Sequence, residues 1–476
     1  MSNHYKLISE FYNNIIDESH DEAINLLFNN INIVTSIIDK YINLSENKQY
    51  DTTNIIYDLY TIYYYYEISN DVEEILFIES EIIRLGILHI CSSEKTMRLN
   101  NKDEYNSTEI YDYDVLLAKT PTLIELFILF LIVFNLEAHI YKSKHYVGID
   151  FEFNTRKIAL MQTSFERPKQ PVSFIWIVNP GEFNEMQTNF MIKYLMTDLK
   201  IYKVVHGSDS LDMPYVYQEM LKNDLNKIKL FTTNVVDTRF LCEYFRINVG
   251  QEKKCSIYDG LKFFGTISEN KYKELEEINE KMQPIQDLQW NVKRMSSFHT
   301  LYALYDVLFL KQFLLDIFKK AKTDTADYYA SYKYIPIITR FVFIEKKEIS
   351  DVTNTAKKDT DPMNNYLIRQ GANNITLITI LNQILDNLII TKIGMNVNNL
   401  LGINYTKTTM MTIFKKIVYY LIALNHKIYI NKQETYKNTL SIDDMYKKIN
   451  DLGFKDLVYL LSEFQKEASA KLKVLY

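Results

Sequence analysis

The chain has 476 residues, of which 47% are hydrophobic and 24% are charged, and its formal net charge is −6. This length exceeds one ordinary hydrophobic core, so we expect roughly two to four domains, and the apolar content excludes a chain dominated by disorder. Residues 1–117 carry 7 basic and 21 acidic side chains, residues 118–320 carry 26 and 24, and residues 321–476 carry 21 and 15. Because a polyanion responds to local charge, the overall acidity does not exclude nucleic acid as a partner.

The cysteines predict free thiols. Cys91, Cys242 and Cys255 are scattered, form no CxxC motif and have no histidine at metal-ligand spacing. This pattern disfavours both disulfides and structural zinc. The amino terminus also lacks the pattern of a signal peptide. We therefore expect an intracellular, reducing setting, with cytoplasm and nucleus both open.

Residues 1–117 predict an acidic, helical amino-terminal region, because apolar residues recur there at three- and four-residue spacing. The tyrosine-rich stretch "IYDLYTIYYYYEI", residues 56–68, fits packing between helices, and the alternative is a surface on which bases stack. The apolar run of residues 123–136 is shorter than the about 20 residues of a membrane span, and Glu125 interrupts it. Thr120 as N-cap and Pro121 in the first turn predict the start of a buried helix, with no membrane as partner.

Residues 118–320 predict an α/β domain with a mixed sheet. Short strand-like segments at residues 146–153, 157–164, 173–179 and 201–207 alternate with helical patterns. A charged helix is expected at residues 268–282 and one long helix at residues 296–318. Beyond them, residues 321–476 form a basic region, helical from residue 366, with a linker near residues 351–365.

Two acidic residues stand inside the first of these strands, in "YVGIDFEF". Side chains alternate faces along a strand, so Asp150 and Glu152 point the same way. Adjacent carboxylates repel unless a cation or a shared proton lies between them. Hard oxygen ligands at this spacing suit Mg²⁺ or Mn²⁺. The pair therefore predicts a metal site, and a solvent-facing strand is the alternative.

Two further segments offer side chains of the same kind. Asp212 follows the strand at residues 201–207 and opens a helix, so it is either an N-cap or a metal ligand, with Asp209 as its rival. Tyr302 and Asp306 are four residues apart and share one helix face. A phenol beside a carboxylate can orient a water molecule.

In order and spacing, these motifs resemble the DEDD superfamily of 3′–5′ exonucleases, and most closely its tyrosine-containing, ribonuclease D-like branch. The matching stretches are "DFE", "HGSDSLD", "VVDTRFL" and the tryptophan-containing "WNVKRMSSFHTLYALYDVLFL". The resemblance covers residues 118–320. It departs from the family at one point, since Asp212 lies six positions after His206 instead of five, which leaves Asp209 open. Leu301 stands where the sister branch has a histidine.

The resemblance implies a ribonuclease H-like sheet, with Asp150, Glu152, Asp212 and Asp306 as ligands of two divalent ions, Mg²⁺ or Mn²⁺. Tyr302 would orient the attacking water, and His206 would have a structural role. The implied activity is stepwise hydrolysis of nucleic acid from a free 3′ end, releasing nucleoside 5′-monophosphates, with RNA favoured as substrate. The alternatives are a DNA exonuclease of the repair type and a non-catalytic nucleic-acid-binding scaffold. Lys293 and Arg294 could contact phosphate, with plain surface charge as the alternative.

Overall fold

A computed structural model describes residues 3–44, 56–100, 112–141, 144–155, 157–167, 172–208, 212–249, 251, 255–282 and 288–324. These residues divide into two compact units. The first comprises the described residues up to Val205 together with Glu219–Leu221 and Gly265–Lys311. The second comprises His206–Gln218, Lys222–Phe264 and the described residues from Gln312 onward. The predicted linker at 351–365 and the helices from residue 366 lie outside the described residues.

The helices, in chain order, are α1 (Asn3–Ile16), α2 (His20–Asn29), α3 (Ile31–Leu44), α4 (Ile56–Ser69), α5 (Val72–Ser93), α6 (Pro121–Ile140), α7 (Glu185–Met191), α8 (Asp212–Tyr215), α9 (Leu225–Thr233), α10 (Thr238–Asn248), α11 (Ile257–Phe264), α12 (Glu269–Met282), α13 (Ser297–Leu308) and α14 (Leu310–Asp324). The strands are β1 (Met97–Leu99), β2 (Asp112–Leu117), β3 (His145–Asn154), β4 (Lys157–Phe165), β5 (Val172–Val178), β6 (Ile201–Val205) and β7 (Val235–Asp237). Single 3₁₀ turns occur at Pro180–Glu182 and Val292–Arg294, and π-helical turns at Ile192–Met196 and Val216–Met220.

The chain is a mixed α/β protein, as the sequence predicts. Within the first unit the strands are ordered β1-β2-β5-β4-β3-β6. Strands β3, β4 and β5 form an antiparallel meander, while β6 runs parallel to β3 and β2 runs parallel to β5. The β3–β4 pairing places Asp150 opposite Gln162, and its register shifts at Glu152 and Phe153. The four strands predicted between residues 146 and 207 are therefore confirmed.

Helix α6 is the apolar stretch that the sequence marked as buried. Its N-cap Thr120 accepts a hydrogen bond from the Leu123 N–H at 3.2 Å, with Pro121 in the first turn. Among the described residues it is the one helix long and apolar enough to cross a membrane, yet 83% of that apolar window is buried inside the protein. Phe127 and Phe130 pack on Trp176 of β5. The prediction of a core helix is confirmed.

The amino-terminal third differs from its prediction in part. Helices α1 to α5 are present, but β1 and β2 add strands to the sheet before residue 118. In α4 the tyrosines divide by position: Tyr63 is fully buried and stacks on Tyr5, whereas Tyr64 and Tyr65 are exposed. Packing therefore accounts for the inward face of the tyrosine-rich stretch.

The long helix predicted at residues 296–318 is wrong as a single element. It divides at Phe309 into α13 and α14, and the Phe309 N–H bonds the Val307 carbonyl. The predicted charged helix is confirmed as α12, whose buried positions include Leu275 and Ile278.

Candidate metal centre

Strand β3 presents alternate side chains to helix α13. Asp150, Glu152 and Asn154 occupy successive alternate positions of this strand. Earlier in the strand, a Cβ on Gly148 would lie only 2.7 Å from the carbonyl oxygen of Val307. The absence of a side chain at Gly148 thus permits α13 to approach the strand backbone closely.

This approach brings together acidic side chains from distant parts of the sequence. Asp150, Glu152 and Asp306 each offer a carboxylate oxygen, and these oxygens all lie within 4.8 Å of one another. Glu152 is 9% exposed, and Asp150 and Asp306 are half-buried. Three carboxylates at this separation can hold a divalent cation, whose charge would offset their mutual repulsion.

The electrostatics of the cluster follow from its burial. Desolvation raises the pKa of Asp150 to about 7, and the backbone hydrogen bond from Phe151 opposes that rise. Burial, followed by the nearby carboxylates of Asp306, Glu152 and Asp150, raises the pKa of the Tyr302 phenol above its usual value. Tyr302 is therefore protonated at neutral pH and lies within the electrostatic range of all three acidic side chains.

One residue beside the cluster was missed by the sequence reasoning. The Asn154 side chain donates from Nδ2 to the Trp290 carbonyl at 2.7 Å, and its Oδ1 accepts from the Trp290 N–H at 2.8 Å. The Trp290 ring stacks on Tyr302, with 6.0 Å between ring centroids. The signal in the sequence was the spacing Asp-x-Glu-x-Asn, which continues the two-residue alternation of polar side chains to Asn154.

The two basic residues predicted to contact phosphate are exposed on the 3₁₀ turn before α13. Lys293 Nζ lies 2.9 Å from Glu182 Oε2, so an acidic side chain already pairs with it. Arg294 is exposed at the end of the same turn. Phosphate contact by either residue stays a prediction.

Asp212 belongs to the second unit. It begins α8, as the sequence predicts, and is 9% exposed. Asp209, its rival, lies outside the described residues. The role of Asp212 as a fourth ligand stays a prediction from the sequence.

Residues 206–208 are held by contacts within the same unit. Asp237 of β7 accepts hydrogen bonds from the backbone N–H groups of Gly207 and Ser208 at 2.9 and 3.1 Å. The His206 ring contacts Thr238 Oγ1 through Nδ1 at 2.9 Å and the Cys255 carbonyl through Nε2 at 3.1 Å. Desolvation lowers the pKa of His206 to about 4. These contacts are those of a structural residue.

The expectation of free thiols at Cys242 and Cys255 is wrong. The two cysteines form a disulfide across 13 residues of sequence, with 6.2 Å between their Cα atoms. They meet because Phe245 of α10 packs edge-on against Phe264 of α11, 4.9 Å between centroids, and Cys255 lies just before α11. Cys91 is free and buried. The reducing setting stays a prediction, and this disulfide is a feature more typical of oxidising compartments.

The fold and the site together define a mixed α/β protein with a three-carboxylate cluster between a central strand and a helix. No protein-family model matches the sequence. The chain is 34% identical over 358 residues to a protein of Acanthamoeba polyphaga mimivirus named "Uncharacterized protein L533", an overlap of 72% of this chain and 70% of the relative. The chain therefore belongs to the same family as this mimivirus protein.

Proposed function

We propose that the protein is a metal-dependent 3′–5′ exonuclease with a ribonuclease H-like sheet. One observation carries the proposal: the carboxylates of Asp150 and Glu152 on β3 and of Asp306 on α13 converge to within 4.8 Å, although more than 150 residues separate Glu152 from Asp306 in the sequence. The meander of β3, β4 and β5, with β6 added parallel to β3, supports the same assignment. The motif resemblance of residues 118–320 supports it independently.

The side chains of the cluster fit a hard divalent cation. All three donors are carboxylate oxygens, the ligands that Mg²⁺ and Mn²⁺ prefer, and burial makes a neighbouring positive charge favourable. Such a cation would neutralise charge on the scissile phosphate and act as a Lewis acid there. Asp212 as fourth ligand, and hence a second ion, is part of the proposal.

The remaining chemistry falls to the residues of α13. Tyr302 lies one turn before Asp306, and its protonated hydroxyl is directed by helix geometry to the same face. This hydroxyl would orient a water molecule for in-line attack on the terminal phosphodiester, while Asp150, Glu152 and Asp306 would hold the cation. The products would be nucleoside 5′-monophosphates.

The test is degradation of short oligonucleotides by the full-length chain, with Mg²⁺ or Mn²⁺ and with a chelator. Matched RNA and DNA strands labelled at the 5′ end would shorten stepwise from the 3′ end, and RNA is expected to be degraded faster. Asp150→Asn is expected to abolish activity while the protein stays folded. Asp71→Asn changes an exposed helix N-cap in the same way and is expected to leave activity intact.

Full activity of a pure Asp150→Asn preparation would overturn the proposal. Tyr302→Phe is expected to slow the reaction on the order of 10²-fold or more, because the water loses its orienting group while the carboxylates remain. Binding of intact strands without any shortening, in wild type and variants alike, would identify a non-catalytic nucleic-acid-binding protein instead.

A further inference from the structure

The side-chain amide of Asn154 makes the pair of backbone hydrogen bonds that a neighbouring β-strand would otherwise make. The amide of Asn154 pairs with both the carbonyl and the N–H of Trp290, at 2.7 and 2.8 Å, across 136 residues of sequence. The backbone at Trp290 is thereby attached to the end of β3. Asn154 lies two residues beyond Glu152, so the attachment is adjacent to the carboxylate cluster.

The attached residue in turn contacts the phenol of the site. Trp290 is 6% exposed and Tyr302 is 7% exposed, and their rings stack at 26° with 6.0 Å between centroids. Trp290 also meets the ring of His299 edge-on, at 6.0 Å, one turn earlier on α13. The indole thus packs along the first two turns of α13 and restricts the directions in which the Tyr302 ring can move.

Two capping hydrogen bonds hold the segment between Trp290 and α13. Asn291 caps the 3₁₀ turn by accepting from the Lys293 N–H at 2.9 Å. Ser296 caps α13 by accepting from the His299 N–H at 3.2 Å. Movement of Trp290 would therefore be transmitted to the start of α13 over a short, hydrogen-bonded segment.

We infer that Asn154 is a positioning residue, which acts through Trp290 to hold the Tyr302 hydroxyl in place beside Asp150, Glu152 and Asp306. This inference rests on the proposed function and deepens it. Asn154 touches no reacting atom in this scheme, and its effect on catalysis depends on Tyr302. The orientation of a reacting group is worth large rate factors, since a displacement near 1 Å can cost about 10²-fold.

The decisive experiment is a double-mutant cycle on the full-length chain, with a 3′-degradation assay on RNA oligonucleotides in Mn²⁺. Asn154→Ala is expected to lower kcat on the order of 10-fold with little change in KM. In a Tyr302→Phe background the same substitution is expected to change kcat by less than about two-fold, because the group it positions is gone. An equal loss in both backgrounds would overturn the inference.

A fluorescence readout and a matched control variant separate positioning from general damage. The protein has two tryptophans, and Trp176 is fully buried, so comparison with Trp290→Phe gives the emission of Trp290. Acrylamide quenching of Trp290 is expected to rise in Asn154→Ala, and unchanged quenching would overturn the inference. The matched control Asn184→Ala removes an amide that caps α7 and is expected to leave kcat and quenching unchanged.

Failure of the proposed function would be recognised separately. If wild type degrades neither RNA nor DNA, the exonuclease assignment fails, and this inference is overturned with it. If wild type is active and the cycle is additive, the inference alone fails. A partial recovery of kcat in Trp290→Phe relative to Trp290→Ala would support it, because an aromatic ring would still rest on Tyr302.

Discussion

Two carboxylates of the first unit, the buried Glu137 and the half-buried Asp150, lie in different electrostatic surroundings. Glu137 of α6 accepts hydrogen bonds from Arg84 at 2.7 Å and from Arg167 at 2.8 and 2.9 Å. Burial alone would raise its pKa, but the two guanidinium groups outweigh burial and lower the pKa to about 2. At Asp150 burial prevails and raises the pKa to about 7.

The difference distinguishes a completed ion network from a site suited to a ligand. Arg84 also bonds Glu81 at 2.7 and 2.9 Å, so acidic and basic groups balance and connect α5, α6 and the end of β4. At Asp150 the carboxylate oxygens of Glu152 and Asp306 lie within 4.8 Å. The first cluster is a structural junction, whereas the proposed function assigns a bound cation to the second.

The largest effect should come from breaking the completed network. Glu137→Gln leaves Arg84 and Arg167 buried without their shared anion, which is expected to lower the free energy of unfolding by about 3–5 kcal/mol. Urea unfolding followed by circular dichroism would measure the loss. Asp150→Asn removes a carboxylate whose charged form desolvation already disfavours, and it is expected to cost less than about 1 kcal/mol, close to the effect of a surface substitution. Equal losses of unfolding free energy in Glu137→Gln and Asp150→Asn would show that the two carboxylates do not differ in this way.

Glu79 is a buried carboxylate whose hydrogen-bond donor, the Tyr63 hydroxyl, is neutral. Its titration shows what burial does to a carboxylate that no guanidinium group among the described residues neutralises. Glu79 is fully buried, accepts from the Tyr63 hydroxyl at 3.0 Å, and lies 3.4 Å from His4 Nδ1. Desolvation raises its pKa from 4.5 to about 7. Between these values the folded state keeps a proton that the unfolded state releases, so the free energy of unfolding falls as pH rises through this window.

The corresponding measurement is the difference in stability between wild type and Glu79→Gln at pH 4.5 and at pH 8. The glutamine keeps an acceptor for Tyr63 and does not ionise. The free energy of unfolding of Glu79→Gln, relative to that of wild type, is expected to increase by up to about 3 kcal/mol between the two pH values. Asp150 is present in both proteins, so its titration cancels in the difference. A pH-independent difference would contradict the assignment.

The carboxylates of Asp150, Glu152 and Asp306 should be stabilised by an added divalent cation, as Glu137 is stabilised by Arg84 and Arg167. Mg²⁺ or Mn²⁺ at about 100 times its dissociation constant is expected to stabilise wild type by about 2.7 kcal/mol, measured as a rise in Tm. Asp306→Asn should lose most of this rise, whereas Tyr302→Phe should keep it. The same rise in wild type and Asp306→Asn would place the ion elsewhere.

The smallest effect is expected where burial is absent. Lys6 and Glu10 of α1 form an exposed pair at 3.8 Å. Glu10→Gln should change stability by about 0.5 kcal/mol or less, because water screens the pair. A loss as large as that of Glu137→Gln in the same urea assay would mean that burial is not what separates the two kinds of carboxylate.

Much of the candidate site could be predicted from the sequence, because each pair of site residues lies within one strand or one helix. Strand alternation places Asp150 and Glu152 on one face, and helical spacing places Tyr302 and Asp306 on one face. The mixed sheet, the buried α6 and its cap at Thr120 follow from patterns of a few residues each. These predictions depend on backbone periodicity, which a single segment determines.

Only the tertiary structure decided which segments meet. The close approach of α13 to Gly148, the attachment of Trp290 to Asn154, the Glu137 network and the Cys242–Cys255 disulfide each join residues distant in sequence. The strands before residue 118 likewise depend on partners elsewhere, because β2 becomes a strand by pairing with β5. Local propensity sets the elements, but packing and long-range hydrogen bonds set their neighbours, and the sequence of one chain does not display those pairings.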